Sequence, residues 1–182
     1  SCPPAAAGLK ISVKGLRGGH SGCDIEKSRG NAVKLLARTL FSLNETFRIG
    51  LTEFNGGNRR NAIAREAHAV ICVAEKDLAA VKKAVAICET WFKNEYGTVE
   101  PDLSVTAGDT DLPAGVFYGA HTNRLLDFLM TAPHGVAAMS PDIEGLVETS
   151  TNMASVTTSN DLVKVQFMTR SSIDSAMNMV CG

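Results

Sequence analysis

Several features that would assign a chain of 182 residues to a common functional class are missing from this one. Eighteen basic side chains stand against nineteen acidic ones, a net charge of -1, so there is no basic excess to neutralise a phosphate backbone and no nucleic-acid partner is expected. No apolar run approaches the ~20 residues that a membrane span requires, so no membrane association is expected either. No Gly-Lys-Ser/Thr follows the glycine-rich segment, which argues against a phosphate loop. The five cysteines (Cys2, Cys23, Cys72, Cys88, Cys181) form no C-x-x-C pair, and their odd number argues against a disulfide framework or a zinc knuckle. Reduced thiols in a cytoplasmic protein are the simplest reading, with Cys72 and Cys88 as small core residues. A dinuclear hydrolytic site needs clustered histidines and carboxylates. There is no Glu-Glu pair and no His-x-Asp, and His68, His121 and His134 lack metal-ligand spacing, so no metal site is expected in this chain. The first residues, Ser-Cys-Pro-Pro-Ala-Ala-Ala-Gly, lack a charged start followed by an apolar stretch and do not read as a signal peptide.

The composition, 45% hydrophobic and 20% charged, is that of an ordinary globular domain. Leu9, Ile11 and Val13 alternate with Lys10, Ser12 and Lys14, the period of a half-buried strand. After Gly15–Gly22, Asn31 is placed to cap a helix carrying Val33, Leu36, Ala37, Leu40 and Leu43. Phe47, Ile49 and Leu51 are expected to begin a second strand that stops at Asn55-Gly56-Gly57-Asn58, and Ala67, Ala69, Ile71 and Val73 mark a third. Asp77 is expected to cap a helix with the stripe Leu78, Val81, Val85, Cys88 and Phe92. This reads β-α-β-β-α, the body of a split βαβ sandwich.

Beyond it, Leu103 to Val105 reads as a short strand, Ala107 to Gly119 as a loop, and Asn123 to Thr131 as a helix. Residues 146 to 157 are rich in β-branched side chains, Ser159-Asn160-Asp161 reads as a turn, and Val163, Val165 and Phe167 alternate with polar neighbours. Ile173, Met177 and Val180 have helical spacing, and this last helix is expected to be cut off, as in a piece of a longer protein. The fold class expected is α+β: an antiparallel sheet with helices on one face, extended by a second strand-rich half.

Three features could carry chemistry. In Arg17-Gly18-Gly19-His20-Ser21-Gly22, glycines hold one imidazole on a tight exposed turn. An incidental histidine on a surface turn is the competing reading, and no acid is evident to make Ser21 a nucleophile. Asn55-Gly56-Gly57-Asn58-Arg59-Arg60-Asn61 has amide and guanidinium groups that could bind a carboxylate, or it is a solvated loop. Arg170 shares the face of Lys164 and Gln166 and should point away from the helices, where it is either solvated or a ligand clamp that needs help from elsewhere.

The stretches GLRGGHSGCDIEKSRGNAVKLLARTL, EFNGGNRRNAIAREA, APHGVAAMSPDIEGLVETSTNMA and TRSSIDS together resemble the bacterial Xaa-His dipeptidases, also called aminoacyl-histidine dipeptidases or peptidase D. These belong to the dinuclear zinc peptidases that include carnosinases and aminoacylases. The resemblance implies that residues 8–175 are the lid, or dimerisation, domain inserted in such an enzyme. The two zinc ions would then be bound by a catalytic domain absent from this chain. It further implies that His20 hydrogen-bonds the oxyanion of the tetrahedral intermediate, that Asn61 and Arg170 hold the terminal carboxylate of a dipeptide substrate, and that the parent enzyme is a homodimer. Ala64 departs from the proline that the family often has beside the asparagine loop, which bears on the rigidity of that loop. The alternative, without the resemblance, is a non-catalytic α+β dimerisation or small-ligand-binding module.

Overall fold

The computed structural model describes residues 2, 5–117, 119–159 and 162–181. The first strand, β1 (Ala6–Lys14), buries Leu9, Ile11 and Val13 completely while Lys10 and Lys14 stay exposed. A two-residue strand, β2 (Gly19–His20), lies within the glycine-rich segment. Asn31 then starts α1 (Ala32–Thr46), its side-chain oxygen accepting the N–H groups of Val33 and Lys34 at 2.9 and 3.3 Å. Helix α1 ends where the second strand was expected to begin. Phe47 is extended, but its N–H donates to Leu43 O at 2.8 Å, so it closes the helix, and β3 runs only from Gly50 to Gly56. Strand β3 also takes in Asn55 and Gly56, which were expected to stop it.

After β4 (Ala62–Ile63) and β5 (Ala67–Ala74), a 3-10 turn at Glu75–Asp77 leads into α2 (Leu78–Tyr96). Asp77 occupies the cap position of α2 in helical conformation and makes no side-chain cap bond, so the turn, rather than an aspartate cap, starts this helix. Val81, Val85, Cys88 and Phe92 are its buried stripe. Strand β6 (Ser104–Thr110) continues into what read as loop, because it pairs along β1 from Lys14↔Ser104 to Gly8↔Thr110. Helix α3 (Gly119–Thr131) starts earlier than its apolar pattern. Strand β7 (Gly135–Met139) was not anticipated, and β8 (Val147–Ser159), β9 (Leu162–Ser171) and α4 (Asp174–Cys181) complete the chain. Asn160 and Asp161 of the expected turn lie outside the described residues.

All pairings among the described residues are antiparallel, and the main sheet runs β6-β1-β5-β3-β8. At 13 residues β8 is long enough to pair with β7 near its start, with β3 at Gly56↔Val156, and with β9 along its other edge. The architecture is α+β, with α1 and α2 over the apolar face of the first strands. One core unites Leu9, Ile11, Leu36, Leu40, Phe54, Ile71 and Phe92 with Leu126, Leu129, Met153 and Val156 from the second half. A two-stranded ribbon, β2–β4, stands apart from this sheet, and the expected site residues gather around it.

Candidate functional site

The glycine-rich loop is tied at both flanks by one acid. Glu100, fully buried, accepts the N–H of Arg17 at 2.7 Å and that of Gly30 at 3.0 Å. Arg65 Nε donates to Leu16 O at 3.1 Å, and the Arg29 guanidinium donates to Gly18 O. Between these anchors β2 pairs with β4 in the register Gly19↔Ile63 and His20↔Ala62.

The tip of the loop is closed by Asp24. Its Oδ2 accepts the His20 N–H at 2.8 Å, and its own N–H donates to His20 O at 2.9 Å. The Lys27 ammonium at 2.7 Å, then the His20 N–H, hold the Asp24 carboxyl below its usual pKa, with Arg29 adding to the effect. The His20 side chain folds back on this turn. Its Nδ1 accepts the N–H groups of Gly22 and Cys23 at 3.2 and 3.3 Å. Two donors on Nδ1 require a lone pair there, so the hydrogen-bond network assigns the proton of the neutral ring to Nε2. The ring is exposed, which leaves Nε2–H as a donor directed by the backbone.

Arg170 reaches the same turn from β9, a strand remote in sequence. A Cβ built at Gly22 would lie 3.3 Å from Arg170 Nε and 3.3 Å from both Cε1 and Nδ1 of His20. The guanidinium and the imidazole therefore lie against one glycine, and a larger residue would press on both. Asn61, also exposed, precedes β4, and its carbonyl accepts the Ser21 N–H at 2.9 Å. The structure thus brings His20, Asn61 and Arg170 to one ribbon. Ser21 Oγ is buried and has no hydrogen-bond partner among the described residues, so it makes no nucleophile–base pair with His20.

Two residues that build the site were not found by sequence reasoning. Glu100 follows the end of α2 as one acid among nineteen. Asn152 sits in a β-branched run, and its burial depends on strand pairing rather than on local pattern. Among the described residues no group of three or more His, Cys, Asp or Glu could hold a metal ion, so these residues do not fit a zinc site. His68 lies on β5 with Nε2 3.4 Å from Glu53, its pKa lowered by burial and then by Lys10. A basin of about 650 Å³ on that side of the sheet has Lys10, Lys14, Asn58, Arg65 and His68 in its lining, but none of the three expected site residues.

Residues 11–100 match the family model described as a peptidase dimerisation domain. The chain is 36% identical over 172 residues to the cytosol non-specific dipeptidase of Escherichia coli (strain K12), which covers 94% of this chain and 36% of that protein. The crystal structure of aminoacylhistidine dipeptidase from Vibrio alginolyticus superposes with a TM-score of 0.97 at 36% identity, covering 100% of this chain and 37% of that one. The chain therefore spans a little over a third of the length of these relatives.

Proposed function

This chain belongs to the peptidase dimerisation domain family, and from that premise we propose that it is the lid of a cytoplasmic, zinc-dependent dipeptidase that hydrolyses Xaa-His or other dipeptides. The proposal places the domain at 8–175, the zinc ions in a catalytic domain outside these residues, and a second copy of the enzyme as its partner. The relatives carry the reading of peptide hydrolysis, one being called a cytosol non-specific dipeptidase and the other an aminoacylhistidine dipeptidase. No helix among the described residues is long and apolar enough to cross a membrane.

The single observation that supports the assigned roles is the hydrogen bonding of His20. With Nδ1 occupied by two backbone N–H groups, Nε2–H is fixed as a donor before any substrate arrives. Peptide hydrolysis develops negative charge on the carbonyl oxygen, and a donor already aimed at that oxygen stabilises the transition state more than the ground state. Arg170 beside the same glycine offers a planar fork that fits a carboxylate in two-point contact, and the Asn61 amide adds a further donor. Groups carried on a lid reach the reacting atoms only on closure, which also excludes water.

The test is kinetic, on the full-length enzyme. His20→Ala is expected to lower kcat on the order of 10²–10³-fold, or ~3–4 kcal/mol, with little change in KM. Arg170→Ala is expected to raise KM for a dipeptide acid. A C-terminally amidated dipeptide should already be a poor substrate and lose little more. If His20→Ala leaves kcat within a few-fold, or Arg170→Ala harms acid and amide alike, the roles are wrong.

A further inference from the structure

We infer that Asn152 is a positioning residue that sets the Asn61 segment against the His20 turn, an assignment that rests on the proposed role of that segment at the substrate. Asn152 is fully buried at the middle of β8, opposite Met168 of β9, and two pairs from Ser150↔Arg170. Side chains alternate across a strand, so Asn152 and Ser150 share one face of β8, and Arg170 and Met168 share the corresponding face of β9. The opposite face is occupied by hydroxyl pairs, Thr149 with Ser171 at 2.8 Å and Thr151 with Thr169 at 3.0 Å. The strand register therefore puts Asn152 and Arg170 on one surface, and that surface meets the ribbon.

The contact is made by the amide nitrogen. Asn152 Nδ2 donates to Ala62 O at 2.8 Å and, at the limit of bonding distance, to Arg60 O at 3.5 Å. These carbonyls flank Asn61, whose own carbonyl takes the Ser21 N–H at 2.9 Å. Three successive carbonyls of the segment are thereby fixed from two sides. Two carbonyl oxygens can be faced only by the NH₂ end of an amide, which settles its orientation. Asn152 Oδ1 is buried with no hydrogen-bond partner among the described residues, so the described bonds of this side chain all run through Nδ2. A buried amide bonded at one end only is unfavourable for stability alone, but here it holds the backbone that carries Asn61 and, through the His20↔Ala62 pair, the start of the His20 turn.

The test runs on the 182-residue chain and on the full-length enzyme in parallel. Asn152→Leu keeps the branch at Cγ and removes the donor, and Asn152→Ser serves as the smaller second variant should the leucine chain fail to fold. In the isolated chain, hydrogen exchange followed by NMR is expected to quicken at least tenfold at the Ser21 and Ala62 amides and to stay unchanged at Ile11 and Ile71. Unchanged exchange at Ser21, or equal acceleration at all four, overturns the proposal. In the enzyme, Asn152→Leu is expected to raise KM for a dipeptide about tenfold, and to add almost nothing to Asn61→Ala. An equal rise in both backgrounds shows Asn152 acting independently of Asn61 and also overturns it. If exchange quickens at Ser21 while Asn61→Ala leaves KM untouched, the positioning role stands and the reading of Asn61 as a substrate ligand fails.

Discussion

His134 and His20 are held in the same way and used differently. The half-buried His134 presents Nδ1 to the Met153 N–H at 3.3 Å and to Asn31 Nδ2 at 3.4 Å, so its ring is kept neutral with the proton on Nε2. Burial, and then the charge of Lys34, push its pKa down to about 4. In the unfolded chain the same ring titrates near 6.5. The folded value is the lower one, so the stability tied to the neutral ring is fully present above pH 6.5. It is lost as the pH falls toward 4, because the unfolded state takes up the proton first. Between pH 7.5 and 4.5 the wild-type chain is expected to lose on the order of 2–3 kcal/mol more than His134→Gln. Urea unfolding of both chains at the two pH values measures this, and parallel losses would show that His134 is not held as a neutral acceptor. His20 likewise accepts two N–H groups at Nδ1, both from the backbone, but on an exposed turn.

Elements were legible where their signal is local. Asn31 stands before a helical stripe, and in the structure it caps α1 as its position suggested. It also does what no helix pattern shows, donating from Nδ2 to Met153 O at 2.8 Å across to β8. Asn31→Ala removes both the cap and this buried bond. The expected loss is about 2 kcal/mol, read from the chemical-denaturation midpoint, and a loss under about 0.5 kcal/mol would mean that neither bond matters. Elements set by partners were less legible. Strand β6 is extended by pairing to β1, and Phe47 closes α1 although its spacing with Ile49 and Leu51 reads as strand. The short β7, in Gly135-Val-Ala-Ala-Met139, carries little alternation and is defined by its ladder to β8. The site follows the same division. His20, Asn61 and Arg170 are unusual enough locally, or in resemblance, to be singled out. Glu100 and Asn152, which hold the loops in place, are recognised only once the strands are paired.

At the scale of the whole molecule, the family model ends at residue 100 but the packing does not. Strand β3 meets β8 at Gly56↔Val156, and Thr158 accepts and donates across the same junction, bonding Phe54 N–H at 2.9 Å and Phe54 O at 3.1 Å. Lys34 of α1 reaches over to the end of α3, its ammonium donating to Leu129 O, Met130 O and Ala132 O at 2.7 to 2.9 Å. That satisfies carbonyls a helix end leaves open, and it places a positive charge at the negative end of the helix dipole. Leu126, Leu129, Met153 and Val156 share one core with the apolar face of the first half, and each is at most 1% exposed. Two halves joined by a continuous sheet, a shared core and cross-packed helix ends should not melt separately. Scanning calorimetry of the 182-residue chain is therefore expected to show one transition, with calorimetric and van't Hoff enthalpies equal. A chain ending after β6 should lose that transition, because Phe54 and the edge of β3 are then uncovered. Two resolved transitions, or a truncated chain that melts as sharply as the whole, would mean that the second half is an appendage. Arg170 would then have no rigid path to the His20 turn.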